Sequence, residues 1–409
     1  MLLARLLRKL VRSGSLTLID AKGGEHQIGD GTGPQVTIKV HDQLTQLKIS
    51  VNPALYVGEA YMDGTLTIEQ GTLYDFLDLA TRSVWDPGNN SIITALVSMR
   101  NIVRFLRQRN PLGRAKSNVA HHYDLSDALY DLFLDSDRQY SCAYFAHPDQ
   151  ALEEAQENKK RHIAAKLLLD RPGLRVLDIG CGWGGLALYL AAETGAQVTG
   201  ITLSEEQLKA ARLRAERAGL ADKVSFHLRD YRLEQGVYDR IVSVGMFEHV
   251  GTPHYSAYFG KIRELLTDDG VALLHTIGRA DKAGSTNPWI EKYIFPGGYT
   301  PALSEVMPHI ERQMLFVTDI EVLRLHYAYT LREWRRRFME NRDRIKDIYD
   351  ERFCRMWEFY LAGAENAFRN EYQVVFQLQM TKDQEAVPLV RDYITDWERT
   401  HRTKSAAAQ

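Results

Sequence analysis

Cysteine is scarce in this 409-residue chain, which has only Cys142, Cys181 and Cys354. An odd number of cysteines at wide spacing suits neither a disulfide framework nor a zinc site, so we expect a reducing, cytoplasmic location and no bound metal. Basic residues are not in excess either, because the formal net charge is -2. General nucleic-acid binders carry a clear excess of lysine and arginine, and the composition therefore argues against nucleic acid as a partner.

Long apolar runs are lacking as well. No stretch reaches the roughly 18 apolar residues that a membrane-spanning helix needs. The first segment is apolar, but Arg5, Arg8 and Lys9 interrupt it and no cleavage pattern follows, which does not suit a signal peptide. Its leucines recur at the spacing of one helix face. This pattern predicts either a helix lying on an anionic membrane or a helix packed on its own domain.

Residues 1–90 have the pattern of a small α+β domain. The β-prone runs, separated by glycine-rich turns, are residues 16–19, 36–40 and 47–51. Two helical patterns follow, at residues 56–62 and 73–82. A turn-rich stretch at residues 85–90 marks a boundary. A basic helical pattern over residues 92–109 then predicts a linker helix, and we assign residues 91–116 to this linker.

Beyond residue 172 strand-like runs alternate with helical runs, which is typical of a parallel, doubly wound sheet. The strand-like runs are residues 175–179, 197–202, 224–227, 238–244, 271–276, 316–321 and 372–380. We interpret the last two as the closing strands, with helical sequence over residues 323–368 between them. The predicted fold class is α/β, with a doubly wound seven-stranded sheet in a domain over residues 117–409. A helical cap is predicted at about residues 281–368.

A glycine-rich loop follows the first strand of this domain. Asp178 precedes Gly180, Gly182 and Gly184, with Trp183 between the last two. Glycines allow the backbone to turn tightly and to approach a ligand closely. The acidic residue two places before the first glycine, with glycine at every second position, is the spacing of methyltransferases rather than dinucleotide dehydrogenases. We therefore expect S-adenosylmethionine at this loop.

The ends of the next two strands add to the predicted nucleotide site. Thr202 stands where nucleotide-binding folds usually place an acidic residue against the ribose, and Thr202 with Gln207 can offer neutral hydrogen bonds instead. Ser204 and Gln207 form a capping-box pattern, and helix capping is the simpler explanation of Ser204. Tyr231 and Arg232 follow the third strand, at the position of a pair that flanks adenine.

Seven motifs, in unbroken order over about residues 117 to 380, resemble those of the cyclopropane-fatty-acyl-phospholipid synthases. They are HYDL at 122–125, YSCAYF at 140–145, DIGCGWGG at 178–185, GMFEHV at 245–250, LHTIG at 274–278, WIEKYIFP at 289–296 and HYA at 326–328. The resemblance implies a class I methyltransferase-like fold. It also implies methyl transfer from S-adenosylmethionine to a cis double bond of an unsaturated phospholipid, followed by proton loss that closes a cyclopropane ring.

The resemblance further implies that a bicarbonate ion is the base. By motif position its ligands are the side chains of Glu248, His275 and Tyr327 and the main chain of Cys142 and Ile277. The motifs place another set of residues against S-adenosylmethionine: Tyr140, Ser141, Gly180, Gly182, Thr202, Leu203 and Gln207. Taken alone, His275 would be a satisfied core histidine and Cys142 a small buried side chain, and only the joint pattern favours a catalytic site.

One position departs from the family pattern. Many relatives carry a cysteine where this chain has Ala364, which excludes a covalent cysteine mechanism at that site but leaves the bicarbonate scheme intact. Two alternatives stay open. The same methyl transfer can give a methylene- or methyl-branched chain, or the protein can be a non-catalytic lipid-binding protein.

The implied substrate lies in a bilayer, so we expect peripheral association with the inner face of the membrane. The basic run at residues 334–338 and the linker helix are the sequence features that could attract anionic headgroups. By its resemblance to longer synthases, the small N-terminal domain is expected to help bind lipid and form a homodimer.

Overall fold

The computed structural model describes residues 2–82 and 126–401, which fall into two units. The first unit contains residues 2–82, 284–296 and 328–373, and the second contains residues 126–283, 297–327 and 374–401. The predicted linker at residues 91–116 and the motif at residues 122–125 lie outside the described residues. Helices and strands are numbered below in chain order.

A four-stranded sheet with the order β2-β1-β3-β4 lies in the first unit. Its strands are β1 Ser15–Ile19, β2 Glu25–Ile28, β3 Gln35–Val40 and β4 Leu66–Gln70, and the accompanying helices are α1 Leu2–Leu10, α2 Gln43–Val51, α3 Pro53–Met62 and α4 Leu73–Arg82. Buried residues alternate along β3, as in a sheet that covers a core with one face. This is the small α+β fold predicted for the N-terminal part.

The first helix, α1, uses its apolar face within its own unit. Leu3, Leu7 and Val11 are buried in the same core cluster as the strand residues Leu16 and Leu18. Of the two interpretations of this segment, the structure favours the helix that packs on its own domain. The apolar face of α1 is therefore not available to a membrane in this conformation.

The strand predicted at residues 47–51 is wrong, because this segment is the second half of α2. Asp42 caps the helix, and its carboxylate accepts the backbone N–H of Thr45 at 2.8 Å and the Thr45 hydroxyl at 2.7 Å. A short apolar run does not distinguish a strand from a helix, and here the capping residue upstream decides. Strands β2 and β4 were not predicted.

The second unit is built on a seven-stranded sheet. Its strands are β5 Arg175–Ile179, β6 Gln197–Thr202, β7 Val224–Leu228, β8 Tyr238–Val244, β9 Leu266–Arg279, β10 Phe316–Leu323 and β11 Gln373–Thr381. The order is β10-β11-β9-β8-β5-β6-β7. Strands β5 to β9 pair in parallel, whereas β10 and β11 pair antiparallel. The predicted doubly wound sheet and its two closing strands are confirmed.

The remaining helices are distributed over the two units. They are α5 Asp127–Tyr130, α6 Leu152–Lys166, α7 Gly185–Thr194, α8 Glu205–Arg217, α9 Tyr255–Leu265, α10 Pro288–Tyr293, α11 Leu303–Arg312, α12 His326–Glu340, α13 Arg342–Ile348, α14 Glu351–Asn370 and α15 Asp392–Thr400. The segment predicted as a cap, residues 281–368, is divided between the two units. The domain boundaries 1–90 and 117–409 stay predictions. Among the described helices, none has the length and apolar character required to cross a membrane.

Candidate active site

The glycine loop turns from β5 into α7 as predicted. Gly180, Gly182 and Gly184 have φ angles of +81°, +55° and +82°, which residues other than glycine rarely adopt. A Cβ on Gly180 would lie 2.8 Å from Met246 Cβ, and one on Gly184 would lie 2.6 Å from the Phe226 ring. A Cβ on Gly182 would meet no atom within 4 Å. The loop therefore leaves open space in front of Gly182.

A pocket opens at the carboxyl ends of β5, β6 and β8, where parallel sheets usually bind ligands. Eleven of the twelve residues predicted to hold S-adenosylmethionine line it: Tyr140, Ser141, Asp178, Gly180, Gly182, Trp183, Thr202, Leu203, Gln207, Tyr231 and Arg232. The twelfth, Gly184, is not a lining residue and supports the loop from behind, against Phe226. The structure thus brings these predicted residues from four separate segments to one pocket.

Asp178 lies at the base of this pocket with its carboxyl group almost fully buried. Burial raises the pKa of Asp178 from 3.8 to about 7, and the positive charge of Lys159 partly offsets the rise. Its Oδ2 atom has no hydrogen-bond partner among the residues that the structure describes. A buried carboxyl oxygen without a partner is costly, and the amino group of a bound amino-acid ligand would satisfy it. The pocket therefore fits S-adenosylmethionine.

The polar residues after β6 are already arranged by their mutual hydrogen bonds. Ser204 Oγ accepts the Gln207 N–H at 3.3 Å, which makes Ser204 the N-cap of α8, as expected. Thr202 Oγ donates to Gln207 Oε1 at 2.9 Å. The Gln207 side chain is fixed by this bond, and its amide nitrogen is the donor that the pair could offer to a ribose.

The adenine-flanking pair lies in a short helical turn after β7. Arg232 forms an ion pair with Asp230 at 2.6 Å, and its guanidinium lies 5.7 Å from the centre of the Tyr231 ring. This ion pair fixes the guanidinium beside the ring, so both side chains have defined positions in the pocket wall. The arrangement is compatible with the predicted contact to a flat base.

Helix α6 supports the pocket wall that Tyr140 and Ser141 form. Lys159 Nζ donates to Ser141 Oγ at 2.8 Å and to Gln139 Oε1 at 2.6 Å, while Gln156 Nε2 donates to the Ser141 carbonyl at 3.0 Å. Lys159 is fully buried and both its acceptors are neutral. Burial lowers the pKa of Lys159 to about 8, an effect that the nearby Asp135 opposes. Sequence reasoning missed these residues, because a run of polar helical residues normally faces solvent.

A second group of polar residues lies where β8 and β9 end side by side. Glu248 Oε1 accepts the Ile277 N–H at 2.6 Å, whereas Oε2 is buried without a hydrogen-bond partner among the described residues. Burial raises the pKa of Glu248 from 4.5 to about 7, and the Ile277 N–H opposes the rise. Glu248 is therefore largely protonated in slightly acidic solution. The main-chain donor expected to face a ligand, that of Ile277, is engaged by Glu248 in this conformation.

His275 lies on β9 beside this carboxyl and is buried as a neutral imidazole. Burial lowers the pKa of His275 to about 3, and the positive charges of Lys159 and Lys166 lower it further. Gln377 Nε2 donates to His275 Nδ1 at 3.2 Å, so the ring hydrogen resides on Nε2. His275 thus offers a neutral N–H donor. His249, which lines the pocket, also has its pKa lowered by burial, to about 4.

Cys142 and Tyr327 lie on neighbouring segments. The Phe145 N–H donates to His326 Nδ1 at 2.9 Å, which ties the chain after Cys142 to the residue before Tyr327. Cys142 and Tyr327 are both buried. The loop that carries Cys142 also approaches the end of β8, since a Cβ on Gly245 would lie 4.0 Å from Ser141 Cβ. The Gly245 N–H in turn donates to the carbonyl of His275.

These contacts join the two predicted groups. The wall of the nucleotide pocket, the end of β8 and the start of the buried β9 group adjoin one another through Ser141, Gly245 and His275. A protonated Glu248 and a neutral His275 are hydrogen-bond donors in a buried environment, which suits an anion that carries acceptor oxygens. The arrangement can therefore hold a cationic nucleoside beside a small oxyanion.

Comparison with known families gives two matches. A family model described as mycolic acid cyclopropane synthetase matches residues 111–378. A second model, for a domain of unknown function, matches residues 7–85. The first match alone spans more than half of the chain and includes every residue of the two groups described above.

Individual relatives agree with this match. The cyclopropane-fatty-acyl-phospholipid synthase of Escherichia coli (strain K12) is 45% identical over 329 residues, which cover 79% of this chain and 83% of the relative. The tuberculostearic acid methyltransferase of Mycobacterium tuberculosis is 36% identical over 396 residues, or 93% and 90% of the two chains. A crystal structure of a mycolic acid cyclopropane synthase complexed with SAH and CTAB aligns with a TM-score of 0.61 at 33% identity, covering 67% of this chain and 99% of that one.

Proposed function

The chain belongs to the mycolic acid cyclopropane synthetase family and is an S-adenosylmethionine-dependent methyltransferase; on that premise we propose that it methylates the cis double bond of an unsaturated phospholipid acyl chain and closes a cyclopropane ring. The observation that carries the proposal is the buried Glu248 carboxyl. It lies next to the pocket for the methyl donor, yet one of its oxygens has no partner among the described residues. A buried group of this kind beside a methyl donor suits a reaction in which a proton must be managed away from water.

The chemistry explains why such a group is needed. The π electrons of the alkene bond to the sulfonium methyl carbon as its C–S bond breaks, which leaves a carbocation on the acyl chain. A C–H bond of the transferred methyl group then breaks, its electron pair closes the ring, and the proton goes to a base. Water would trap the cation, so the site has to be dry and the base has to be positioned in advance.

Bicarbonate, when bound, would supply that base. Glu248, His275 and Tyr327 would hold it by their side chains, and Cys142 and Ile277 by their main chains. Glu248 in its protonated form and His275 as a neutral Nε2–H donor would orient the anion without a competing negative charge. The Ile277 N–H fixes the carboxyl as long as it donates to Glu248, and it would leave Glu248 to bind the ligand.

A methyl-branched product is the second candidate. The relative of M. tuberculosis that covers 93% of this chain is named for tuberculostearic acid and not for a cyclopropane acid. Position 364, where many relatives carry a cysteine, is alanine here, and Cys354 on the same helix is buried with its pKa raised by burial. Both products begin with the same methyl transfer. Loss of a proton from the cation gives the ring, a methylene group or a methyl-bearing alkene, whereas a saturated methyl branch would need a hydride donor in addition.

The proposal includes association with the cytoplasmic face of a membrane, and a homodimer. Two of the three arginines in residues 334–338 are paired with carboxylates, which weakens the basic surface predicted there. Trp334 and Phe338 are buried, Arg335 pairs with Glu365 at 3.0 Å, and Arg336 pairs with Glu333 at 3.0 Å. A cation already paired with a carboxylate adds little attraction for an anionic headgroup.

The deciding experiment uses S-adenosylmethionine with a ¹³C-labelled methyl group and a detergent-dispersed phospholipid with one cis double bond. We expect the label in a cyclopropane CH₂, seen by NMR, with a fully saturated phospholipid as the unreactive control. Label in a methyl branch or a methylene group would contradict ring formation and support the second candidate instead. No transfer to any unsaturated phospholipid would refute methylation and favour a lipid-binding protein without activity. Removal of dissolved carbon dioxide should slow the reaction, and added bicarbonate should restore it.

A further inference from the structure

Helix α2 presents an apolar face to solvent, opposite to the usual arrangement of a surface helix. Leu44, Leu47 and Val51 are 60%, 56% and 62% exposed, whereas Ile49 on the opposite side is buried. Their spacing of three and four residues places the three side chains on one face of the helix. Single exposed apolar residues are common on proteins, but an apolar stripe along a whole helix requires an explanation.

The conformation of α2 is well defined, so the stripe is not a frayed end. Asp42 caps the helix at its start, and the Asn52 N–H bonds to the Lys48 carbonyl at its end. The helix packs against both α1 and α3 within the first unit. The three apolar side chains are therefore held outward by the fold around them.

Exposed basic residues lie on the same helix and on its neighbour, and Asp42 is the acidic residue that caps α2. Lys48 is exposed on α2, and Arg5 and Arg8 are exposed on the neighbouring helix α1. Neither helix contains an acidic residue within its bounds. An apolar stripe accompanied by lysine and arginine is the combination with which helices lie at the interface of an anionic bilayer.

We propose that Leu44, Leu47 and Val51 dock into the interfacial layer of an anionic lipid bilayer, with Arg5, Arg8 and Lys48 against its headgroups. The inference rests on the proposed action on bilayer phospholipids and names the surface that makes the contact. A second copy of the chain is a poorer occupant, because a stable interface buries about 800 Å² on each partner and three side chains fall far short of that area. A bilayer needs only shallow insertion together with electrostatic attraction.

The test compares the full chain with the variant Leu44→Ser, Leu47→Ser, Val51→Ser in flotation with vesicles. Phosphatidylglycerol mixed with phosphatidylcholine provides the anionic surface, and phosphatidylcholine alone provides the neutral one. Loss of three partly inserted apolar side chains should weaken binding to the anionic vesicles about a hundredfold. The matched control is Leu389→Ser, Val390→Ser, which removes residues 102% and 61% exposed in the second unit and should bind like the parent protein.

A second variant, Arg5→Gln, Arg8→Gln, Lys48→Gln, tests the charged part of the surface. Each basic residue near an anionic surface contributes about fivefold in binding, so this variant should bind more weakly and respond less to salt. All the replaced side chains are exposed, and circular dichroism should show unchanged folding. Unchanged vesicle binding by both variants would overturn the inference. A loss of self-association without a loss of vesicle binding would assign the stripe to contact between copies instead.

Activity measurements separate failure of this inference from failure of the proposed function. The serine variant should lose methyl transfer to phospholipid in vesicles but retain it on phospholipid dispersed in detergent, where docking is not needed. If the parent protein methylates dispersed lipid but binds no vesicles, the docking surface is wrong and the function stands. If it methylates neither form, the proposed function itself is refuted.

Discussion

Replacement of Glu248 by glutamine should make the protein more stable at alkaline pH while it removes activity. The buried carboxyl has a pKa of about 7 in the folded chain against 4.5 when exposed, because burial disfavours its charged form. The folded state therefore resists ionisation that the unfolded state accepts. Below pH 4.5 burial of this carboxyl costs no unfolding free energy. The cost grows as the pH rises from 4.5 to 7, and above pH 7 it reaches its full value of about 3 kcal/mol.

Glutamine keeps an oxygen that can accept the Ile277 N–H but cannot ionise. We expect the difference in unfolding free energy between the Glu248→Gln variant and the parent, measured by urea titration, to increase by about 3 kcal/mol between pH 4.5 and pH 8. Any fixed cost of burying the new amide group is the same at each pH and cancels from this slope. The rate of methyl transfer should fall by about a hundredfold, because an amide is a weaker hydrogen-bond donor to the proposed base than a carboxylic acid and would position that base less well.

Glu234 provides the control, because it is equally buried but paired. Its oxygens contact Arg229 at 2.8 Å and the Tyr238 hydroxyl at 3.0 Å. Glu234→Gln should destabilise the protein at neutral pH, since it leaves Arg229 without its carboxylate partner. A pH-independent stability difference for Glu248→Gln would contradict the account of its burial. Full activity in that variant would remove Glu248 from the catalytic site.

Two further variants test the nucleotide pocket. Gly182→Ala should weaken binding of S-adenosylmethionine at least tenfold, measured by calorimetry, because its methyl group would enter the open space of the loop. Gly219→Ala has a similar φ of +66° and equally open surroundings outside the pocket, so it should share the backbone strain of about 1 kcal/mol and bind normally. Lys159→Met should also weaken this binding, since it releases Ser141. Lys166→Met on the same helix should instead cost about 1–3 kcal/mol of stability with unchanged binding, because Asp319 and Glu321 lose one cationic partner and keep only Arg391 and His162.

Much of the second unit could be predicted because its signals are local. The strands at residues 175–179, 197–202 and 238–244 have the bounds that the apolar runs predict. The glycine loop needs φ values that only glycine adopts freely, so its sequence directly reports its backbone. These are properties of single segments and do not depend on distant partners.

The errors of the sequence analysis concern residues whose burial does not follow their polarity. The apolar run at residues 47–51 predicts a strand facing a core, yet Leu47 and Val51 face solvent on a helix. Conversely, Lys159 and Gln156 on α6 are polar but buried. Their hydrogen-bond acceptors, at residues 139 and 141, lie in a loop distant in the sequence, so the helix sequence alone does not reveal them. Hydrophobic pattern predicts burial only where function does not require the reverse. Both errors fall at a proposed binding surface or beside the candidate site.

Asp178 and Glu248 are in the same physical environment, although their proposed ligands carry opposite charges. Both carboxyls are buried, both have pKa values raised to about 7, and each has one oxygen without a partner among the described residues. With the pKa so close to neutral pH, the charge of the ligand decides the protonation state. A cationic ligand draws Asp178 into its ionised form, whereas an anion draws Glu248 into its protonated form. In the proposed mechanism, the same burial prepares one carboxyl to accept hydrogen bonds from the methyl donor and the other to donate one to the base.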